Sequence, residues 1–250
     1  NINSIIVSHG TVSQPFDNFD KIYKEYIAEG VFLGNSKYKA VQSKIAKKFA
    51  ETKKINKNLL ETGNLIFSEN LDNKNFKKKN ILYAVTTKRL PALQIHGVEY
   101  FFEFYKNLQI IDNFSLKYNL SVIVHLHPGA KKNIEDFKKI FKNLIFKTGD
   151  ISDSLKKSFM TISYSSTVIE DSLYNKVPVV LLDLHKKNYL HLDCEKNPKE
   201  KNKAVYYLNN LADLKTSIDT IKNSKNIDFE EYIFNSRSKE NIEKLLNSYL

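Results

Sequence analysis

Residues 159–182 read FMTISYSSTVIEDSLYNKVPVVLL, and this stretch decides the fold class. It predicts a strand at 159–163, a helix at 167–174 and a strand at 177–182, because two short continuous apolar runs flank an amphipathic segment. A strand, a helix and a strand in that order predict two parallel strands joined by a right-handed crossover. The sequence therefore indicates an α/β fold with a parallel sheet that is covered on both faces.

The same alternation continues in both directions from this stretch. The other predicted strands lie at 4–8, 31–34, 59–67, 81–85, 121–126, 144–146 and 205–208. The other predicted helices lie at 19–29, 36–49, 98–118, 134–141, 152–157 and 212–221, followed by a mostly helical tail from 229 to 250. Residues 68–80 are polar and charged, which predicts a linker and a domain boundary.

Composition narrows the class of protein. The 250 residues carry a formal net charge of +11 and a single cysteine, Cys194, which favours a reducing compartment. No signal peptide is visible at the start, and no run reaches the ~18 apolar residues that span a bilayer, so we expect a soluble cytoplasmic protein. The basic charge favours anionic partners, including the inner face of the cell membrane. Nucleic acid is disfavoured because the lysines are spread along the chain and no recognition module appears. The absent initiator Met indicates a fragment or a processed chain.

Polar residues follow the predicted strands of the main sheet. Because the carboxyl ends of parallel strands meet at one edge, and ligands bind at that edge, these residues predict a nucleotide site between about Asn80 and Asn210. The candidate catalytic residue at this edge is His127. The candidate donor-binding residues are Thr86, Thr87, Lys88, His125, Pro128, Gly149, Ser163, Ser165, Ser166, Thr167 and Asp183.

The segment from Ser163 to Thr167 lies between a strand and a helix. Its hydroxyls and the unpaired N–H groups of a helix start can hold a phosphate. The plain alternative is that Ser165 or Ser166 is only the N-cap of the helix. Four other polar loops at the same edge favour phosphate binding.

His125 and His127 lie two residues apart at the end of a strand, so alternation predicts that they share a face. Pro128 restricts the backbone of His127 and fixes its exit from the strand. An imidazole in this position can donate to a phosphate oxygen, although a purely structural histidine is the alternative. A metal site is disfavoured because no third ligand with suitable spacing is present.

His9 ends the first predicted strand and is followed by Gly10 and Thr11. This position suits a general base that acts on an acceptor hydroxyl, and a simple turn histidine is the alternative. The aromatic stretch at 100–105 is interpreted as core packing. No Gly-x-Gly-x-x-Gly, Gly-Lys-Ser/Thr or Gly-x-Ser-x-Gly motif is present.

Taken in order, these motifs resemble the GT-B transferases of bacterial surface polysaccharides. The matching segments are His9-Gly10-Thr11, 81–87, His125-Leu126-His127-Pro128, 162–171 and 177–183, so the resemblance covers roughly residues 4 to 210. The pattern is most similar to the CDP-glycerol glycerophosphotransferases, followed by capsular Kdo transferases and sialyltransferases.

The resemblance implies a fold and an activity. Residues 1–70 would be the last part of a partial or reduced acceptor-side α/β domain, 71–80 a linker, 81–225 a complete Rossmann-type donor domain and 226–250 a helical tail. His127, Ser165 and Ser166 would contact the donor phosphate, and His9 would be the general base. Such enzymes typically need no metal or other cofactor, since protein donors stabilise the departing phosphate.

We therefore expect a transferase that moves a sugar or polyol-phosphate from a nucleotide-activated donor, with CMP- or CDP-linked donors favoured. Its acceptor would be a cell-surface polysaccharide or a lipid-linked precursor. Two alternatives stay open, a nucleotide-sugar 2-epimerase of the same fold and a non-catalytic module that binds a nucleotide or glycan.

Overall fold

The structure is a computed structural model that describes a defined part of the chain. The described residues are 4–7, 36–52, 54–55, 58–67, 78–85, 93–126, 134–163, 166–185 and 194–234, together with positions 243 and 247.

Three short parallel strands form the smaller of the two sheets. β1 (Ile5–Val7), β2 (Tyr38–Val41) and β3 (Leu59–Glu61) lie side by side in that order. Helix α1 (Lys44–Thr52) lies between β2 and β3 in the chain. The residue pairs that define the register of this sheet are far apart in sequence. Ile5 pairs with Tyr38, and Lys39 pairs with Leu59.

The predicted helix at 36–49 is wrong in its first half. Residues 38–41 form β2, whose Ala40 and Val41 are buried, so sheet pairing overrides the local helical pattern. Ser43 caps the helix, since its Oγ accepts the Ala46 N–H at 3.1 Å. The strand predicted at 59–67 ends early at Glu61, and Gly63 then takes a positive φ of 68°.

Six parallel strands form the main sheet. They are β4 (Asn80–Val85), β5 (Ser121–Leu126), β6 (Leu144–Lys147), β7 (Ser158–Ser163), β8 (Val179–Leu182) and β9 (Val205–Leu208). Their spatial order is β6-β5-β4-β7-β8-β9. This is the order of a doubly wound Rossmann sheet, which grows outward in one direction from β4 and in the other from β7. The prediction of a parallel α/β sheet is confirmed.

Helices cover both faces of this sheet. They are α2 (Leu93–Tyr118), α3 (Ile134–Ile140), α4 (Ser152–Lys157), α5 (Val168–Tyr174) and α6 (Leu211–Lys222). Buried side chains of α2, α3 and α6 pack with Tyr83, Val124 and Ile162 on one face. On the other face, Leu155 of α4 packs with Leu82 and Ile123, while α5 packs with β8 and β9. None of the described helices is long and apolar enough to span a membrane.

The small sheet contacts the main one through α5 and the segment that follows α6. The Lys44 N–H donates to the Tyr232 carbonyl at 2.9 Å. The hydroxyl of Tyr174 donates to the Gln42 carbonyl, and the Tyr174 ring stacks on Phe67 at 6.1 Å between centroids. These contacts fasten residues 42–67 to one end of the main sheet.

Two further expectations need correction. The tail was expected to be helical from 226 or 229 onward, but residues 226–234 form turns and a bridge with Ser43, because Phe229, Tyr232 and Ile233 are needed to cover the core beside α5. The aromatic stretch at 100–105 is only partly core. Phe104 is buried, whereas Phe101 and Phe102 are exposed.

Candidate functional site

The carboxyl edge of the main sheet carries the candidate site. β4 and β7 are neighbours there, with Ile81 opposite Met160 and Tyr83 opposite Ile162. The strand order reverses between them, which is where doubly wound sheets leave a crevice for a ligand. The expected crevice would lie beyond the last residues of these strands, Val85 and Ser163.

The turn from β7 into α5 brings hydroxyl groups to this crevice. Ser163 is buried, and its hydroxyl lies 3.4 Å from the Ala84 carbonyl of β4. Ser166 is half-buried, and its Oγ accepts the Val168 N–H at 3.3 Å. The capping role that was left open for Ser166 is therefore real. Because Oγ is the acceptor in that bond, the hydroxyl keeps its hydrogen, which it can donate to a phosphate oxygen. Thr167 is half-buried beside it and makes no capping bond.

Buried hydroxyls hold α5 against β7. Thr161 of β7 and Ser172 of α5 bond through their side chains at 2.8 Å, and Ser172 also donates to the Val168 carbonyl at 2.7 Å. Glu170 is buried in the same helix, one turn below Ser166. The start of α5 is thus fixed in place at the crevice. This pairing was not predicted, since it joins two segments that were interpreted only by their periodicity.

His125 has a defined structural environment. It is buried near the end of β5, with Nε2 at 3.1 Å from the Gly149 carbonyl and Nδ1 at 3.2 Å from Ser154 Oγ. Since a carbonyl can only accept, Nε2 carries the hydrogen and Nδ1 accepts from the serine. Burial lowers the pKa of His125 from its ordinary value of 6.5, and nearby Lys147 acts in the same direction. Both ring nitrogens are engaged by the protein, so His125 fixes the loop at Gly149 to the edge of the sheet.

This environment predicts a loss of stability in mild acid. The pKa of His125 is lower in the folded protein, so the unfolded chain takes up its proton first as the pH falls below about 6.5. The stabilising contribution is complete above that pH and decreases below it, by at most about 1.4 kcal/mol per pH unit. Urea unfolding between pH 7.5 and 5 should show a steeper decrease in the wild type than in His125→Gln. Parallel curves for the two proteins would contradict this account of His125.

The loop after β6 is shaped by Gly149 and Asp150. Gly149 has a φ of +101°, a conformation that L side chains rarely adopt. The Asp150 carboxylate accepts both the N–H of Ser152 at 2.9 Å and its hydroxyl at 2.6 Å, which lowers the pKa of Asp150. Helix α4 begins at Ser152, so Asp150 accepts the N–H of its first residue. The Gly149 carbonyl accepts the hydrogen of His125 Nε2, so this residue contributes only through its backbone.

Asp183 follows β8 at the same edge and is also buried. Its Oδ2 accepts the hydroxyl of Tyr207 in β9 at 2.7 Å, and its N–H donates to the Leu208 carbonyl at 2.8 Å. Burial and the neighbouring carboxylate raise the pKa of Tyr207, which keeps its hydroxyl protonated. Ser154 and Tyr207, the partners of His125 and Asp183, were not recognised in the sequence because nothing local marks them.

The remaining candidates lie outside the described residues. They are His9, Thr86, Thr87, Lys88, His127, Pro128 and Ser165. In the chain, Thr86 directly follows β4, His127 directly follows β5 and Ser165 comes two residues after β7. Within the described part of the chain, no group of three His, Cys, Asp or Glu side chains is arranged to hold a metal ion.

Comparisons with known proteins find structural neighbours only. No protein-family model and no curated protein matches the chain. The UDP-GlcNAc 2-epimerase of Methanocaldococcus jannaschii, in complex with UDP-GlcNAc and UDP, matches at 18% identity and a TM-score of 0.56, over 96% of this chain and 68% of its own. S. aureus MnaA with UDP matches at 12% identity and a TM-score of 0.55, over 97% of this chain and 67% of its own. The wall teichoic acid polymerase TagF with CDPG matches at 12% identity and a TM-score of 0.52, over 98% of this chain and 64% of its own.

These neighbours have the GT-B fold, and the chain shares that fold. At these identities the likeness concerns the fold alone. The chain spans only 49% to 68% of the length of several solved structures that it matches.

Proposed function

We propose that this chain binds a nucleotide-activated donor at the carboxyl edge of its main sheet and transfers the donor's sugar or polyol-phosphate to a glycan acceptor. One observation carries the proposal. The strand order reverses between β4 and β7, and the Ser166 hydroxyl lies at that reversal with a hydrogen to donate. A GT-B fold with this edge available is suited to the phosphates of a nucleotide.

The donor phosphates would lie across the ends of the central strands. Ser165 and Ser166 would bind them from the β7 side, with Ser163 below and Thr167 at the start of α5. Thr86, Thr87 and Lys88 would approach from the end of β4, and His127 and Pro128 from the end of β5. These groups would stabilise the departing phosphate without a metal ion. The contacts of His125 and Asp183 support a narrower role for both, which is to hold the surrounding loops.

Transfer requires an acceptor hydroxyl to attack the donor. In sugar transfer, the acceptor oxygen bonds to the anomeric carbon and the carbon–oxygen bond to the nucleotide phosphate breaks. In polyol-phosphate transfer, the oxygen bonds to phosphorus and the phosphoanhydride bond breaks. The acceptor's proton would go to His9, and the nucleotide would leave with its charge held at the sheet edge.

The proposed function also includes a division of the chain into domains and an acceptor. Residues 1–70 would form part of an acceptor domain, 71–80 a linker, 81–225 the donor domain and 226–250 a tail. A bacterial surface polysaccharide or a lipid-linked precursor is the proposed acceptor, and the net charge of +11 favours contact with the acidic inner face of the cell membrane.

Donor turnover tests this proposal. The purified chain would be incubated with UDP-GlcNAc or CDP-glycerol, with and without a glycan acceptor, and released nucleotide would be measured by chromatography. We expect nucleotide release that depends on the acceptor. Tight nucleotide binding without turnover of any donor would instead support the non-catalytic module.

The epimerase is the second candidate, because an epimerase complexed with UDP and UDP-GlcNAc is among the structural matches with a TM-score above 0.5. An epimerase changes the sugar of UDP-GlcNAc without any acceptor and in a reversible manner. NMR of UDP-GlcNAc with the enzyme alone separates the two activities, since a new sugar signal without an acceptor would favour epimerisation over transfer.

A further inference from the structure

Exposed lysines lie along the amino edge of the main sheet, opposite the candidate site. The neighbouring strands β6, β5, β4 and β7 each begin within four residues of one of them. In that order along the edge, these exposed residues are Lys142, Lys117, Lys79 and Lys157. Since neighbouring strands lie about 4.8 Å apart, the four strand starts span only roughly 15 Å.

Contacts bring the central part of this row together. The Lys79 N–H donates to the Lys157 carbonyl at 3.1 Å, which joins the starts of β4 and β7. Lys222, the last residue of α6, reaches the same place, because its Nζ lies 5.0 Å from the centre of the Phe159 ring in β7. Three exposed lysines are therefore grouped around the starts of two adjacent strands.

Acidic side chains do not neutralise this row. No Asp or Glu occurs among the described residues around the four strand starts, which are 78–80, 115–121, 138–144 and 155–159. Within the described part of the chain, none of the four lysines forms an ion pair. The segment before β9 differs, because its lysines lie beside Glu195 and Glu200.

Helix direction explains why positive charge accumulates on this edge. Helices α2, α4 and α6 run against the strands and end at the amino edge, and each has a lysine in its last turn. The helix dipole stabilises a cation at a helix C-terminus. Each lysine thus has a local reason, but the parallel sheet collects them on one surface, where their potentials add.

Exposed aliphatic side chains lie beside these lysines. Leu116 precedes Lys117 at the end of α2, and Ile140 ends α3 two residues before Lys142. Both aliphatic side chains are more than half exposed, and Ile145 of β6 is exposed as well. At an acidic bilayer, ammonium groups meet the lipid headgroups while aliphatic groups enter the boundary of the hydrocarbon. A soluble polyanion would be attracted by the lysines alone.

We propose that the amino edge of the main sheet docks on an acidic membrane surface. The docking surface consists of Lys79, Lys117, Lys142, Lys157, Lys222, Leu116 and Ile140. This inference goes beyond the proposed function, because docking requires no nucleotide. Since β4 extends about 20 Å from the amino to the carboxyl edge, the docked chain holds the candidate site about 20 Å from the bilayer, open to a dissolved donor.

Vesicle flotation compares the wild type with two variants that lose the same charge. The docking variant combines Lys79→Gln, Lys142→Gln and Lys157→Gln. The control variant combines Lys196→Gln, Lys199→Gln and Lys201→Gln, which replace exposed lysines before β9. Each lysine at an acidic bilayer strengthens binding about fivefold, so the docking variant should bind at least about tenfold more weakly and the control within about threefold of the wild type. The vesicles contain equal parts of phosphatidylglycerol and phosphatidylcholine, and vesicles of phosphatidylcholine alone should not bind.

A third variant separates a membrane from a soluble polyanion. Leu116→Ser combined with Ile140→Ser removes exposed aliphatic groups and leaves the charge unchanged. This variant should bind the acidic vesicles at least about fivefold more weakly, because fewer CH₂ groups enter the bilayer. Its affinity for heparin should equal that of the wild type. Every replaced side chain is exposed, so all three variants should unfold at the wild-type temperature.

The outcomes decide between these partners. No binding of the wild type to acidic vesicles, or an equal loss in the docking and control variants, overturns the inference. Binding of heparin without binding of vesicles also overturns it and identifies a soluble polyanion as the partner. The proposed function is tested separately, because the docking variant should keep any increase in Tm that a nucleotide gives to the wild type.

Discussion

Replacing His127 with alanine is expected to lower turnover roughly 100- to 1,000-fold, the range seen when one donor to a developing negative charge is removed. His127 follows directly after Leu126, the last residue of β5, and β5 adjoins β4 at the reversal of strand order. The imidazole would donate to the phosphate as it departs, when its charge is greatest. If the reaction proceeds without a metal ion, as proposed, such a donor has few substitutes.

The effect should appear in kcat more than in nucleotide binding. Steady-state kinetics of the His127→Ala protein would be compared with its affinity for UDP and CDP and with its thermal unfolding. Unchanged unfolding with a lowered kcat supports the assignment. Full activity of this variant would remove His127 from the reaction.

Replacing Leu108 with alanine should cost about 2–5 kcal/mol of unfolding free energy, the range for a leucine deleted from a packed core. Leu108 is fully buried where α2 covers the central strands. Leu116→Ala is the matched control, because Leu116 lies on the same helix but is 56% exposed. That substitution should change the unfolding free energy by no more than about 0.5 kcal/mol.

Urea unfolding monitored by circular dichroism measures both values. The comparison also checks the rotational position of α2. Similar losses in the two variants would mean that the inward face of α2 has been placed incorrectly.

Strands of the main sheet could be predicted well from the sequence. β5 and β9 were placed with their observed bounds because continuous apolar runs bounded by polar residues have few other interpretations. The carboxyl edge followed from the same patterns, since parallel strands must end together. Strand order could not be predicted, because it depends on pairings between residues as distant as Tyr83 and Ile162.

Errors occurred where tertiary contacts override local pattern. The apolar residues of Tyr38–Val41 have the spacing of a helix, but the segment is stabilised more by pairing as a strand between β1 and β3. Residues 229–234 were interpreted as helix, yet they form turns that place Tyr232 in the core. Phe101 and Phe102 were assigned to the core, but they are 57% and 58% exposed.

The sequence placed the described candidate residues at the carboxyl edge of the sheet, but it did not reveal what each side chain contacts. Hydroxyls in the turn after β7 were found because turn residues lie close together in sequence. His125 and Asp183 were also found, but their partners Ser154 and Tyr207 lie 29 and 24 residues away. Those bonds indicate positioning roles, which no local pattern could have distinguished from direct contact with a ligand.

The central claim is that the end of β7 binds a nucleotide phosphate, and Ser166→Asp is the variant that isolates it. Aspartate caps a helix as well as serine does, so the fold should be retained. Its carboxylate would repel a phosphate at the same position. Asn143→Asp adds the same charge at an exposed turn on the opposite edge of the sheet, before β6.

Thermal unfolding of the three proteins with CMP, CDP, UDP and GDP is the most direct measurement. A nucleotide at one hundred times its dissociation constant should stabilise the native state by about 2.7 kcal/mol. We predict that at least one nucleotide raises the Tm of the wild type and of Asn143→Asp, and that Ser166→Asp unfolds normally but loses this increase. No increase with any nucleotide, or an equal increase in Ser166→Asp, would contradict the account.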